Sequence, residues 1–391
     1  RPEVSTDDNE GKETASTESD SPTAALDVNT SEETSAWPIL GWDQYNSEPL
    51  TWRVVGPGAL SNAHVQIWGS SGAGKTEFIK MLLRQLYSMG NTRFGIADFK
   101  NDYGRSESDD FPGSVGANFI DLWGRPGARF NPLALGEEDD VDTRIIEFRD
   151  SIDQAMASYQ RLGTRQRRAI ENALRAAYRE AEGEGRWPTL LDLNRHVVDD
   201  IEHILGDLTR YEIFTDGPPI GEVLNENLVF GLNRIPGNGQ TTVLAAAFLL
   251  AGISLAVQSL PPVPNALRYA LVVDEAHRVS RFKALDVMIR EGRSKGLAVI
   301  LATQSPLDLP EVVDTNAQTR VCFRLSDAVV ARQGAKERGP ADDSLPDRIR
   351  TLGSGEAFIS LQGGRPRLIT AIQHYRDGVR YVAGELSLAP Q

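Results

Sequence analysis

Three features of the sequence predict an α/β fold with a mostly parallel sheet, a helical insertion and a C-terminal β-hairpin. Short apolar runs at 65–68, 94–99, 228–232, 271–273, 298–302 and 320–323 alternate with longer segments of helical periodicity. A glycine-rich turn joins the first run directly to a helix. Residues 138–215 carry few glycines outside the turn at 183–185 and read as mostly helix.

The run at 65–68 predicts a strand, and the apolar spacing after the turn predicts a helix from about Thr76 to Tyr87. The run at 94–99 is the next strand, and 228–232 follows the helical stretch. Residues 241–258 are rich in Ala and Leu and predict a long helix. A helix over 283–295 separates the strands at 271–273 and 298–302. Two runs, 355–361 and 367–372, flank Gly363-Gly364 and predict the closing hairpin. The stretch 241–257 has no charge, yet it falls short of the ~20 residues that a bilayer requires and is diluted by Ala, Gly, Thr and Ser. A helix buried against the sheet, with no membrane contact, is therefore expected.

Composition narrows the function classes. The chain has 391 residues, 40% apolar and 25% charged, enough for a sizeable core and two or three domains at most. A single cysteine, Cys322, excludes an internal disulfide and a multi-cysteine metal site, and predicts a reducing, cytoplasmic setting. Five scattered histidines without a metal-ligand spacing argue against a zinc hydrolase. Of the net charge of −14, residues 1–36 carry −8. That Ser-, Thr- and acid-rich stretch is expected to be a disordered tail or linker, with one globular body over 37–391. A linker before the body, and a chain beginning at Arg1, suggest the C-terminal part of a longer protein. The body itself, at −6, is not a basic coat for nucleic acid.

The strongest chemical signal is Gly69-Ser70-Ser71-Gly72-Ala73-Gly74-Lys75-Thr76, a complete G-x-x-x-x-G-K-[ST] sequence followed by Glu77. Its glycines let backbone N–H groups curl around phosphate oxygens, and a helix N-terminus points at the same anions. Lys75 suits the β- and γ-phosphates and the Thr76 hydroxyl suits Mg²⁺, so residues 69–77 are the candidate ATP-binding segment. A second signal is the apolar strand ending in Asp274-Glu275. Asp274 would hold the Mg²⁺ shell and Glu275 would orient or deprotonate water. The third is Gln304, delivered by the strand at 298–302 and able to sense the γ-phosphate. The fourth is the pair Arg290 and Arg293, three apart, either of which could reach a neighbouring subunit's phosphate; a solvated helix end is the plainer reading.

Arg161, Arg165, Arg167, Arg168, Arg175 and Arg179 crowd one predicted helix. They could grip phosphates, but nearby Glu171 and Glu180 favour a solvated, ion-paired face. Aromatics do not interleave with the basic residues, so no stacking platform for single strands is evident.

In this order, residues 69–76, Asp98-Phe99-Lys100-Asn101-Asp102-Tyr103, Asn131-Pro132-Leu133, 273–277, 290–293 and Ala302-Thr303-Gln304 resemble the HerA/FtsK-type ATPases. Residues 352–357 also look like that family. The resemblance spans roughly 65–375 and implies a RecA-like P-loop ATPase that uses ATP and Mg²⁺. It implies a hexameric, homo-oligomeric ring moving along or unwinding double-stranded DNA. Residues 39–43, 60–66 and 97–103 further resemble the motor of phosphorothioation-dependent restriction proteins of the DndH/DptH type. This implies a DNA-restriction and antiviral role with partner subunits. The N-terminal β-barrel of HerA proteins has no counterpart in residues 1–64.

Three other readings compete. Asp274-Glu275-Ala276-His277 spells a DEAH box, but it lies about 200 residues after the phosphate loop and no arginine-rich second-lobe motif follows. Conjugation and type IV secretion ATPases keep the motor and move protein or single-stranded DNA. An ATP-gated recruitment scaffold would not need Glu275 and Gln304.

Overall fold

The computed structural model describes residues 37–56, 58–106, 109–123, 130–136, 139–157, 159, 161–210, 213, 214, 216–236, 239–263, 266–336, 343–372, 380–382 and 385–387. The tail expected over 1–36 lies outside them. Eleven strands form one sheet: β1 (Ile39–Asp43), β2 (Pro49–Thr51), β3 (Val65–Trp68), β4 (Arg93–Asp98), β5 (Ala117–Asp121), β6 (Asn227–Gly231), β7 (Tyr269–Val273), β8 (Leu297–Thr303), β9 (Thr319–Cys322), β10 (Glu356–Leu361) and β11 (Arg367–Ala371). Their order is β2-β1-β11-β10-β9-β3-β8-β7-β4-β6-β5.

From β9 to β5 every pairing is parallel. Of these, β6, β7 and β8 are buried on both faces, which is why they read as continuous apolar runs rather than alternating ones. From β9 to β2 the pairings are antiparallel. The expected hairpin is β10–β11, and it is a full part of the sheet rather than an appendage. The sequence reading missed β1, β2 and β5. β1 and β2 are short and half-exposed, and β5 is a polar edge strand.

Each face of the sheet carries its own core. The Lys75–Met89 helix covers one, with Phe78, Ile79, Leu82, Leu83 and Leu86 turned inward. On the other lies the Gln240–Ser259 helix, against which the Val141–Met156 helix packs. Phe148 stacks on Phe248 at 4.0 Å between centroids and 9° between planes. The helical stretch comprises Val141–Met156, Thr164–Gly183, Leu190–Arg195 and Asp199–Arg210, as expected. Asn131 is buried at its root. Its amide donates to Pro188 O at 2.9 Å, its Oδ1 accepts from Leu133 N at 2.9 Å and its backbone N–H donates to Pro218 O at 3.1 Å, so it ties the start of the insertion to its middle and to the chain just past its end.

Two expectations need correction. The Gln240–Ser259 helix is 20 residues long, so length does not keep it from spanning a bilayer; burial of 78% of its apolar window makes it a core helix. The helix expected over 283–295 ends at Glu291 and tightens into a 3₁₀ turn, Gly292–Lys295. Gly292 sits where a Cβ would lie 2.8 Å from the Leu297 side chain, and the tighter turn is how the chain enters β8 at that spacing.

Candidate nucleotide-binding site

The three strands that carry the candidate residues are neighbours: β3 precedes the phosphate loop, β8 precedes Gln304, and β7 precedes Asp274-Glu275. Because they are parallel and in register, with Trp68 opposite Thr303 and Val273 opposite Leu301, their C-terminal ends open on one edge. That edge is where open parallel sheets collect ligands.

The loop itself is built for an anion. Gly72 has φ +72° with nothing within 4 Å of a hypothetical Cβ, and Gly74 has φ +113°, a conformation that L side chains rarely adopt. At Gly69 a Cβ would lie 2.8 Å from the Phe323 Cβ. The loop is braced from outside by Ser70 N donating to Arg324 O at 2.8 Å, Ser326 N donating to Ser70 Oγ at 3.0 Å, and Gly355 N donating to Ala73 O at 3.2 Å. The last bond explains why residues 352–357 belong to the same signature as the loop. Lys75 Nζ donates to Gly69 O at 2.5 Å and Ser70 O at 3.2 Å. Burial pushes its ammonium below the usual lysine range, while the Asp274 carboxylate opposes that. Glu77, in the first turn of the helix, pairs with Lys80 at 3.5 Å.

Asp274 and Glu275 are both 3% exposed. Burial pushes the Asp274 carboxyl up to about 6, against a backbone hydrogen bond from Glu275 N and the charge of Lys75. Burial also raises Glu275, but the ammonium of Lys100, which bonds directly to Oε1, outweighs it and leaves the group below its ordinary value. His277 Nδ1 lies 3.4 Å from Glu275 Oε2, and the Gln304 amide also acts on this carboxylate. Glu275 has φ +57°, a sparsely populated conformation for a residue with a side chain. Gln304 is exposed, one residue beyond β8.

The donors fit magnesium nucleotide. Thr76 and Asp274 offer hard oxygen ligands, few in number, as Mg²⁺ prefers when phosphates complete its shell. Among the described residues no group of three or more His, Cys, Asp or Glu forms an all-protein metal cage.

Arg290 and Arg293 do not join this cluster. Both precede β8 and so lie at the opposite edge of the sheet from the phosphate loop. Arg290 pairs with Asp286 at 3.0 Å. Arg293 is exposed, and no ion pair is formed by it among the described residues. In the arginine-rich helix, Arg167 pairs with Asp153 at 3.0 Å and Arg175 with Asp142 and Glu171.

Two contributions of the 98–103 segment go beyond the sequence reading, which named it only as part of the family resemblance. Asp98 is fully buried and accepts four backbone N–H groups, from Lys100, Asn101, Asp102 and Tyr103. Burial raises its carboxyl, with those four bonds opposing. The turn so fixed presents Lys100 to Glu275. An acid at the end of a strand, followed two residues later by a lysine, was the available signal.

Comparison with known proteins agrees with this geometry. A family described as the central domain of the helicase HerA matches residues 57–212. One described as the type IV secretion-system coupling protein DNA-binding domain matches 227–357. Protein TraC of Escherichia coli (strain K12) is 22% identical over 326 residues, covering 75% of this chain and 35% of TraC. The chain thus spans about a third of that relative's length. VirB4 of Thermoanaerobacter pseudethanolicus superposes with a TM-score of 0.64 at 18% identity, covering 87% of this chain and 97% of that one. The bacterial conjugative coupling protein TrwB, solved without its first 70 residues, gives 0.64 at 14% identity, covering 88% and 91%. TrwB in complex with ADP and Mg²⁺ gives 0.60 at 15%, covering 80% and 87%. The sheet order, the phosphate loop with its two carboxylates, and these matches together show the fold of a RecA-like P-loop ATPase, with residues 57–212 similar to the HerA central domain and 227–357 to the coupling-protein domain.

Proposed function

We propose that this chain is the ATP-hydrolysing motor of a conjugation or type IV secretion apparatus, working as a ring that moves a polymer. The observation that carries the reading is the convergence of Lys75, Thr76, Asp274, Glu275 and Gln304 on one sheet edge, where Glu275 would act on water. Lys75 and the loop amides of residues 69–77 bind the phosphates, Thr76 and Asp274 hold Mg²⁺, and Gln304 reads the γ-phosphate. Bound Mg²⁺ supplies charge neutralisation between the β- and γ-phosphates. The likeness to TraC, VirB4 and TrwB supports secretion-type cargo over a restriction motor.

Steady-state ATP hydrolysis, measured with single-stranded DNA, long double-stranded DNA or neither, tests it. Stimulation by single strands is expected. Stimulation by double-stranded DNA alone would favour the restriction-type motor of the DndH/DptH resemblance. No hydrolysis that depends on Lys75 would remove the ATPase reading altogether.

A further inference from the structure

Lys100 and Glu275 form a direct ion pair in the site, and the two ends of that contact differ. Glu275 is held, being 3% exposed, at the end of β7, in a left-handed backbone conformation. The Lys100 side chain is 38% exposed, a long arm on a base that Asp98 fixes through four amide bonds. Its charge bears on Lys75 as well as on Glu275, and the carboxylates of Asp274, Glu275 and Asp102 act on the same edge. A magnesium nucleoside triphosphate brings net negative charge, and beside Lys75 this edge offers it a second, part-exposed cation in Lys100.

We propose that Lys100 is a positioning residue that alternates between two anions: the Glu275 carboxylate, which it contacts here, and the γ-phosphate of a bound nucleoside triphosphate. The proposal rests on the ATPase reading above and adds a device to it. While Lys100 holds Glu275, its ammonium competes with water for one carboxylate oxygen and lowers the basicity of the group. When Lys100 turns to the γ-phosphate, Glu275 is released at the moment the reacting group is in place. The length of a lysine side chain suits both contacts. Water between Glu275 and the γ-phosphate would sit about 3 Å from the carboxylate, with the phosphate about as far again. A lysine tip touching Glu275 reaches that position by side-chain rotation alone, with its backbone unmoved. A diphosphate lacks the competing anion and leaves the pair intact, so the device distinguishes ATP from ADP.

The test is binding rather than turnover. Fluorescent ADP and ATPγS are titrated into the full chain and into Lys100→Ala, which changes a part-exposed side chain and leaves the Asp98 amide bonds intact. ATPγS affinity is expected to fall by about 10-fold or more, a change of about 1.4 kcal/mol, while ADP affinity changes less than about twofold. Lys100→Arg should restore most of the difference between the two nucleotides. Glu275→Gln removes the competing anion and should tighten ATPγS by roughly threefold when Lys100 is present, but not in the Lys100→Ala background. Equal weakening of ADP and ATPγS by Lys100→Ala, no weakening of either, or an equal effect of Glu275→Gln in both backgrounds would overturn the proposal. If the unmodified chain binds neither nucleotide, the ATPase reading falls first and takes this device with it.

Discussion

Lys75 and Glu275 do different jobs in one site, and their variants should separate those jobs. Lys75 already lies in the loop, donating to Gly69 O and Ser70 O, so its ammonium is preset to swing onto phosphate oxygens. Lys75→Ala should therefore weaken nucleotide binding and cut turnover by roughly 10²-fold or more. Glu275→Gln keeps the shape and removes the base. It should bind ATPγS at least as well as the unmodified chain while turnover falls about 10²–10⁴-fold. Equilibrium binding beside steady-state hydrolysis checks both, and hydrolysis surviving either change would refute the assigned roles. These residues were legible in the sequence because each chemical group is adjacent to a strand end, and strand ends are marked by apolar runs. Lys100 was less legible. Its partner lies 175 positions away in the chain, and only the β4–β7 pairing brings the two together.

At the scale of elements, the parallel strands were readable for a physical reason: strands buried on both faces are apolar throughout. The edges were not, since a half-exposed strand such as β1 or a polar one such as β5 has no distinctive composition. His64 shows how the core strands are joined. It immediately precedes β3; its Nδ1 accepts from Val299 N in β8 at 3.0 Å, and its carbonyl accepts from Thr319 N in β9 at 3.2 Å. Burial lowers its pKa from 6.5 to about 4. Between those values the unfolded chain binds a proton that the folded chain refuses. Stability is therefore fully present above pH 6.5 and falls as the pH drops toward 4, by up to about 3 kcal/mol from this group. Urea unfolding at pH 7.0, 5.5 and 4.5 reads this directly. His64→Asn keeps an acceptor for Val299 N but does not titrate, so its stability should be lower at pH 7 and decline less steeply below it. Parallel decline in both proteins would show that His64 is not the group responsible.

For the whole molecule, the position of Arg293 bears on assembly. The seven residues of β8 separate it from Gln304, about 23 Å of extended chain, so it cannot reach a phosphate held by its own Lys75. An exposed arginine with no ion pair among the described residues is available to a neighbour instead. If subunits pack head to tail, the site edge of one faces the Arg293 edge of the next, and the interface is heterologous and closes into a ring. Arg293→Ala should then lower turnover on the order of 10³-fold with little change in ATPγS affinity, because charge stabilisation from a second subunit acts mainly on the transition state. Mixing is the decisive measurement. Lys75→Ala subunits have a defective site and an intact Arg293; Arg293→Ala subunits have the reverse. Each preparation alone should be nearly inactive. In an equal mixture about a quarter of the interfaces pair an intact site with an intact arginine, and turnover should recover to a corresponding fraction of the unmodified rate. A mixture no more active than its parts would show that Arg293 serves its own surface and not the neighbour's nucleotide. Arg290, tied to Asp286 at 3.0 Å, serves as the internal comparison: its replacement by Ala should leave both activity and complementation close to those of the unmodified chain.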